Sequence, residues 1–316
     1  MNLKGKTTSV VDPCKNQIPV ILDTDIGGDI DDTWALVMML KSPELDVKLV
    51  VSDTGDTSYR AKVIAKMLEV AGRTDIPVGV GIPFKMQQNQ YSQAAWVDGY
   101  LLSKYKGKMF DDGVNAIIQT IMTSPKPVTL ICIGPVPNIA EALRREPRIV
   151  ENARFVGMHG SVHKGHKASP KICSEWNVVN HTSDCQKVFS AAWDMTITPL
   201  DTCGWVILEG QKYQAVLSCK DPLVQALIEN YRIWLKTLNW PEDDIYNKSS
   251  ILYDTVAIYL AYTQELLKIE DLGIRITEDG YTVIDQNAKQ IHVATQWKNL
   301  DAFENLMVRR ITGQNY

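Results

Sequence analysis

The sequence lacks the features that mark several large classes of protein. No run of lysine or arginine exceeds two residues and the formal net charge of the 316-residue chain is -4, so a surface for nucleic acid or an anionic membrane is not expected. No apolar stretch reaches the roughly 18 residues that a membrane-spanning helix needs. A small neutral or weakly charged ligand fits this composition better.

Cysteine is sparse and shows no ligand pattern. The six cysteines include no Cys-x-x-Cys pair, so neither a zinc ribbon nor a redox dithiol is indicated. In a chain of this length we expect them to be reduced, which favours a cytoplasmic location. Residues 1–17 are polar, without the apolar core of a signal peptide, and are expected to form a flexible N-terminal segment.

Short apolar runs alternate with helical patterns over the first 200 residues. This alternation predicts a mostly parallel central sheet flanked by helices on both faces, a Rossmann-like open sheet. No linker or internal repeat interrupts residues 1–316, so we expect a single α/β domain, with edge strands added by the last 45 residues. The predicted strands are 19–23, 47–53, 77–80, 128–133, 153–158 and 195–200, and the predicted helices are 31–40, 58–71, 115–122, 138–145, 183–192, 223–238 and 254–261.

A dense acidic loop follows the first predicted strand. Asp23, Asp25, Asp29, Asp31 and Asp32 place five carboxylates within ten residues, around two adjacent glycines. Open parallel sheets bind ligands at the carboxyl ends of their strands. Carboxylates this close repel one another unless a cation lies among them, and oxygen ligands favour calcium or magnesium over zinc.

Three other interpretations of this loop were weighed. Asp31 and Asp32 are suited to capping the following helix, but capping explains only two of the five acids. An EF-hand calcium loop fails at its twelfth position, where Trp34 stands in place of a bidentate glutamate. A haloacid-dehalogenase-type phosphatase also opens with a strand and Asp-x-Asp, yet it needs a later acidic pair. A metal-centred catalytic site explains the loop best.

The loop and the segments after it resemble the inosine–uridine preferring nucleoside hydrolase family. The hallmark of that family is a strand followed by Asp-x-Asp-x-Gly-x-Asp-Asp and an Ala-Leu helix. Here residues 29–30 are a two-residue insertion relative to the short form of the motif. The matching segments, in order, are Val20-Ile-Leu-Asp23-Thr-Asp25-Ile-Gly27 with Asp31-Asp32-Thr-Trp-Ala35-Leu36, Val50 to Asp56, Ile133-Gly-Pro-Val-Pro137-Asn138, Val156-Gly-Met158-His-Gly160, Glu175-Trp-Asn177 and Tyr253-Asp254.

The resemblance implies calcium-dependent hydrolysis of the N-glycosidic bond of ribonucleosides, which gives free base and ribose. Calcium would be held by Asp25, Asp32, Asp254 and the carbonyl of Pro137, and Asp25 would also take a proton from water. The residues that would bind the substrate around the ribose are Asp29 or Asp31, Asp56, Met158, Glu175 and Asn177.

The residues around the departing base are less constrained by the resemblance. Tyr253 stands where many members have a histidine that helps the base to leave, so it is a second catalytic candidate. Trp96 and Trp240 are candidates for stacking on the base, with core packing as the alternative. Three histidines crowd one loop, which is interpreted as a loop over the site, a solvated loop or a zinc cluster: His159, His163 and His166.

Two alternatives to the hydrolase remain at this point, a haloacid-dehalogenase-type phosphatase and a non-catalytic nucleoside- or sugar-binding protein. The expected partner is a small ribonucleoside, with no nucleic acid and no membrane. The resemblance implies a homodimer or a homotetramer, whereas the preferred base is not determined.

Overall fold

The computed structural model describes residues 17–238, 241 and 244–314. Ten strands form one sheet. In chain order they are β1 (Ile18–Thr24), β2 (Leu45–Ser52), β3 (Val78–Val80), β4 (Met109–Phe110), β5 (Val128–Cys132), β6 (Ala153–Met158), β7 (Met195–Thr198), β8 (Leu267–Ile276), β9 (Thr282–Ile284) and β10 (Gln290–Trp297).

The sheet confirms the predicted topology. Its strand order is β4-β3-β2-β1-β5-β6-β7-β10-β8-β9. Every pair from β4 to β10 is parallel, and only β8 and β9 add antiparallel pairs at one edge. Strand β1 therefore lies inside the parallel part, between β2 and β5, and its carboxyl end points to the edge where ligands bind in such sheets.

Helices cover both faces of the sheet. In chain order they are α1 (Asp31–Leu40), α2 (Thr57–Val70), α3 (Gly113–Thr123), α4 (Pro137–Arg145), α5 (Ile149–Asn152), α6 (Trp176–Val179), α7 (Thr182–Ser190), α8 (Leu200–Cys203), α9 (Gly210–Leu217), α10 (Pro222–Thr237), α11 (Asp244–Asn247), α12 (Thr255–Leu260) and α13 (Leu300–Thr312).

Two hydrophobic cores form, one on each face of the sheet. Val20 and Leu22 of β1 point into the core that contains α1, α2 and α10, whereas Ile21 points into the core that contains α3 and α7. This division follows from the alternation of side chains along a strand. It explains why β1 is a continuous apolar run, since both of its faces are buried.

The predicted and observed elements differ mainly near the C-terminus. The last 45 residues do supply edge strands, but they also form α13, which the sequence analysis did not predict. Asn299 caps this helix by accepting a hydrogen bond from the amide of Ala302. The predicted flexible segment 1–17 lies outside the described residues except for Gln17.

Two further expectations concern membranes and cysteines. Among residues 17–238, 241 and 244–314, no helix is long and apolar enough to cross a membrane. The described cysteines with free thiols are Cys132, Cys173, Cys185, Cys203 and Cys219.

Candidate active site

A cavity of about 300 Å³ opens at the carboxyl ends of β1, β5 and β6. The acidic loop after β1 forms one wall, and the segments that follow β5 and β6 form another. Helix α10 and the segment before α12 complete it. The residues that line it are Asp25, Gly28, Asp29, Asp31, Asp32, Gln90, Ile133, Met158, His166, Glu175, Trp176, Asn177, Leu200, Trp234, Leu238, Tyr253 and Asp254.

The acidic loop reaches this position through a tight turn at Gly27. Its φ of 99° lies in the left-handed region that side chains rarely adopt, and a Cβ there would lie 2.8 Å from the ring of Tyr59. The Tyr59 hydroxyl donates to the Gly27 carbonyl over 3.0 Å and fixes the turn against α2. Gly134 contributes from the other side, since a Cβ on it would lie 2.9 Å from Oδ1 of Asp25.

Three carboxylates converge in the cavity. One oxygen from each of Asp31, Asp32 and Asp254 lies within 4.8 Å of the others, and all three residues are buried. Oδ1 of Asp31 finds no hydrogen-bond partner in the described part of the chain. Burial, together with the neighbouring carboxylates, raises the pKa of each group well above its ordinary range. Buried acids this close, with an unsatisfied oxygen, fit a hard cation.

Asp25 lies beside this triad and not within it. Its carboxylate lines the same cavity and interacts electrostatically with Asp31 and Asp32. Burial raises the pKa of Asp25, and the Arg60 guanidinium opposes that shift. Asp31 therefore joins the metal-ligating candidates, although the sequence placed it with the ribose. Asp29 lies at the rim, where its carboxylate accepts from the amide of Ile30 over 2.7 Å.

Pro137, whose carbonyl was expected to bind the metal, does not line the acidic cavity. Pro137 is the first residue of α4 and lines a separate surface pocket with Ile82 and Phe84. A carbonyl in the first turn of a helix is directed along the helix axis, toward an amide four residues later. Ile133, directly after β5, lies in the acidic cavity instead. The carbonyl of Ile133 accepts from Nδ2 of Asn177 over 3.0 Å, so Pro137 stays the predicted carbonyl ligand.

Glu175, Asn177 and Met158, the residues predicted to bind ribose, line the same cavity. The carboxylate of Glu175 accepts from the amides of Asn177 at 2.8 Å and Gly160 at 2.9 Å. The side-chain nitrogen of Asn177, Nδ2, donates to the backbone carbonyls of Ile133 and Met158, both at 3.0 Å. Burial raises the pKa of Glu175 to about 7, despite these bonds. These bonds fix the side chains of Glu175 and Asn177 in the wall of the cavity that also contains the triad.

Tyr253 and His166 line a further part of the cavity together with apolar side chains. The Tyr253 hydroxyl lies 3.5 Å from Nδ1 of His166. Trp234 and Leu238, at the end of α10, lie along the same cavity and give it an apolar surface. This part is suited to a flat heterocycle, because apolar and aromatic side chains bind such rings.

The other histidines of the crowded loop do not join the cavity. The His163 side chain is exposed, and its backbone amide donates to Asp201 over 2.8 Å. His159 is fully buried between Phe155 and Phe189, and burial lowers its pKa to about 3. The alternative in which these histidines form a zinc cluster is wrong. Among the described residues, the acidic triad is the one group suited to a metal ion. Placing His163 at the substrate is not supported, because its side chain faces solvent.

Three other candidates need correction or lie outside the description. Trp96 is buried against α10, where its indole nitrogen donates to Glu229 over 3.1 Å, so it packs instead of stacking on a base. Asp56 caps α2 through the amide of Tyr59 at 2.9 Å and does not line the cavity. Trp240 lies outside the described residues.

Sequence reasoning missed several residues at the site. Trp234 and Leu238 were assigned only to a long helix, and Trp176 was noted only as the middle of Glu-x-Asn. Arg60, in α2, was not noticed at all, although its guanidinium lies 3.7 Å from Asp25. The amphipathic pattern of α2 gives one available signal, because Arg60 falls on its buried face.

Comparison with known proteins supports the interpretation of the cavity. The family model described as inosine-uridine preferring nucleoside hydrolase matches residues 20–308. The chain is 26% identical over 295 residues to a probable uridine nucleosidase 2 of Arabidopsis thaliana, covering 89% of each chain. It is 25% identical to the inosine-uridine preferring nucleoside hydrolase of Crithidia fasciculata, covering 88% of this chain and 91% of the relative.

A solved structure agrees on the fold. The purine-preferring ribonucleoside hydrolase from Gardnerella vaginalis superposes with a TM-score of 0.76 at 20% identity, covering 93% of this chain and 98% of that chain. Neither the phosphatase nor the non-catalytic binding protein is favoured by these matches. The family model covers nearly the whole chain, including every segment that forms the cavity. This chain is therefore an enzyme of the inosine-uridine preferring nucleoside hydrolase family.

Proposed function

We propose that the protein hydrolyses the N-glycosidic bond of ribonucleosides in a calcium-dependent reaction. One observation carries the proposal: a buried triad of carboxylates shares one cavity with the hydrogen-bonded Glu175 and Asn177 and with apolar side chains. A ribonucleoside has the matching parts, namely a polar sugar with vicinal hydroxyls and a flat base.

The cation would be held by Asp31, Asp32 and Asp254, with Asp25 beside them and the carbonyl of Pro137 as the backbone ligand that the family resemblance implies. Carboxylates and a backbone carbonyl are the hard oxygen ligands that calcium takes, and calcium accepts six to eight of them at flexible angles. A divalent cation supplies positive charge that orders ribose hydroxyls and lowers the pKa of a nearby water molecule.

Asp25 is the proposed base. Its carboxylate lies beside the triad without belonging to it, so one oxygen is available to accept a proton from the attacking water. Cleavage of a ribosyl bond develops positive charge on the sugar, and the surrounding carboxylates stabilise that charge. Asp29, at the rim, is a further candidate for a ribose hydroxyl.

Glu175, Asn177 and Met158 are proposed to hold the ribose. Both amide hydrogens of Asn177 are directed at backbone carbonyls, which leaves Oδ1 to accept from a sugar hydroxyl. Precise contacts of this kind would select against deoxyribose, because an unpaired buried polar group costs about 1–3 kcal/mol.

The base would occupy the side formed by Tyr253, His166 and Trp234. An imidazole carries a proton near neutral pH, whereas a phenol holds its proton tightly. We therefore assign the proton for the departing base to His166, passed through or oriented by the Tyr253 hydroxyl.

A panel of purine and pyrimidine ribonucleosides, with detection of free ribose, tests the reaction directly. A phosphatase assay on the same preparation and binding of an unreactive nucleoside analogue test the two alternatives. Ribose release that stops in a strong calcium chelator and returns with added Ca²⁺ is the expected result. Full turnover after prolonged dialysis against the chelator would contradict calcium dependence.

We also propose a cytoplasmic homodimer or homotetramer. The free thiols of the described cysteines support the location, and family membership supports the assembly. Sedimentation of the purified chain at micromolar concentration distinguishes these states from a monomer.

A further inference from the structure

Arg60 is a buried cation directly behind the proposed base. Its side chain is fully buried on α2. Nε donates to the carbonyl of Thr54 over 2.9 Å, and Nη1 donates to the carbonyl of Ile26 over 3.0 Å. The third nitrogen, Nη2, has no hydrogen-bond partner among the described residues and lies 3.7 Å from Oδ2 of Asp25.

Two of these contacts fix the plane of the guanidinium. Ile26 belongs to the loop after β1 and Thr54 to the loop after β2, so the side chain is held at two points on separate segments. Because the guanidinium is planar, two fixed nitrogens also fix the position of the third, Nη2. Nη2 lies next to Asp25. Burying an arginine is costly unless its charge is paired, and Asp25 is the carboxylate within ion-pair distance.

The Asp25 carboxylate is thereby confined on two sides. Arg60 faces Oδ2, and Gly134 lies against Oδ1 so closely that any side chain there would collide with it. The carboxylate cannot turn freely between the cavity and the protein interior.

We propose that Arg60 is a positioning residue, which acts through Asp25 by holding Oδ2 so that the carboxylate presents a fixed lone pair to the reaction. This inference rests on the proposed function, because it assumes that Asp25 is the base. The direct ion pair of Arg60 is with Asp25, whereas its charge acts on Asp32 of the triad only at longer range, where it lowers the pKa of that carboxyl.

A purely structural role is the competing explanation, since Arg60 also joins two loops. Tyr59 offers a matched control on the same helix. Its hydroxyl also anchors the loop after β1, by donating to the Gly27 carbonyl over 3.0 Å, but it carries no charge and does not reach Asp25. Tyr59→Phe therefore loosens the loop without releasing the base.

The test compares Arg60→Met with Tyr59→Phe by steady-state kinetics on the best ribonucleoside and by calorimetric titration with Ca²⁺ alone. We expect Arg60→Met to lower kcat by about 10²-fold, the usual cost of misplacing a catalytic group. KM should change by less than about threefold because the ribose contacts remain, and Ca²⁺ binding should not weaken because the variant only removes a positive charge near Asp32. Tyr59→Phe should keep kcat within about threefold.

A double-mutant cycle separates positioning from general destabilisation. Arg60→Met added to Asp25→Asn should cost no further activity, since residues that act through one another are not additive. Full additivity, or an Arg60→Met kcat equal to that of Tyr59→Phe, would overturn the inference. If Arg60→Met does not fold, Arg60→Lys keeps the charge without the fork and should still lose about tenfold in kcat, whereas full activity would overturn the inference.

A measurement that does not depend on enzymatic turnover distinguishes failure of this inference from failure of the proposed function. Crystal structures of the wild type and of Arg60→Met, both with Ca²⁺, should show the Asp25 carboxylate rotated in the variant. An unmoved carboxylate refutes Arg60 as a positioning residue even in an active enzyme. A wild type that releases no ribose refutes the proposed function, while the rotation still tests whether Arg60 controls Asp25.

Discussion

The hydroxyl of Tyr253 lies 3.5 Å from Nδ1 of His166, and the two rings meet edge to face with centroids 6.2 Å apart. The residues are 87 positions apart in the chain, yet they share one side of the acidic cavity. Burial raises the pKa of Tyr253, and nearby Cys203 and Asp31 raise it further. Tyr253 is thus a poor acid, and Tyr253 together with His166 is better suited to protonate the departing base than Tyr253 alone.

Replacement of Tyr253 by phenylalanine tests leaving-group assistance. Tyr253→Phe should slow hydrolysis of a natural ribonucleoside by about 10²-fold, the usual scale of acid catalysis. p-Nitrophenyl riboside should be nearly unaffected, since its leaving group departs without protonation. The measurement is kcat on both substrates. Equal losses on both would mean that Tyr253 shapes the pocket instead.

Replacement of His166 tests its role as the acid, and His163 on the same loop provides the control. His166→Gln should lower kcat on natural nucleosides by at least about tenfold and spare p-nitrophenyl riboside. His163→Gln, on the same loop but with an exposed side chain that does not line the cavity, should behave like the wild type. Equal behaviour of the two variants on nucleosides would remove His166 from the mechanism.

Loss of one triad carboxylate should release the metal. Asp32→Asn or Asp254→Asn should abolish detectable turnover and weaken Ca²⁺ binding by at least about 10²-fold, because a charged ligand is lost from a buried site. Calorimetric titration with Ca²⁺ measures this effect. Asp56→Asn is the control, since asparagine still caps α2, and it should bind Ca²⁺ normally. Unchanged Ca²⁺ binding in both triad variants would contradict the assignment of the metal site.

Glu175 should make the metal-free protein less stable as pH rises. Its pKa is about 7 in the folded chain against an ordinary value of 4.5, so between these values the folded state holds a proton that the unfolded state has lost. The contribution of Glu175 to the free energy of unfolding is therefore fully present below about pH 4.5 and is lost as pH rises through about 7.

Thermal unfolding of the wild type and of Glu175→Gln, in chelator from pH 5 to pH 8, tests whether the contribution of Glu175 to stability is lost as pH rises. The stability of the variant relative to the wild type should improve as pH rises, because glutamine does not ionise. A constant difference between the two proteins across this range would show that Glu175 keeps its ordinary pKa.

Replacement of Trp96 distinguishes a packing role of this residue from a role in binding the base. Trp96→Phe removes the indole hydrogen bond to Glu229 and part of a buried ring. We expect a loss of about 1–3 kcal/mol in the free energy of unfolding with no change in KM for any nucleoside. Urea unfolding and steady-state kinetics measure the two effects. A selective rise in KM for one class of base would return Trp96 to the binding site.

The sequence by itself determined the parallel sheet and the position of the acidic loop. Strand β1 is a continuous apolar run because both of its faces are buried, and local patterns of this kind are visible without a structure. Glu175, Asn177 and Met158 were also found from sequence, since short motifs keep their spacing. The terminal helix α13 was missed because the last 45 residues were interpreted only as edge strands.

Only the tertiary structure decided which atoms meet in the cavity. Pro137 and Ile133 are four residues apart, yet the first begins helix α4 and the second lines the cavity. Trp96 and Trp234 are equally aromatic in the sequence, but packing buries the first against α10 and places the second along the cavity. The contact between Arg60 and Asp25 joins the side chain of a helix to a loop 35 residues earlier, and no local pattern encodes such a distance.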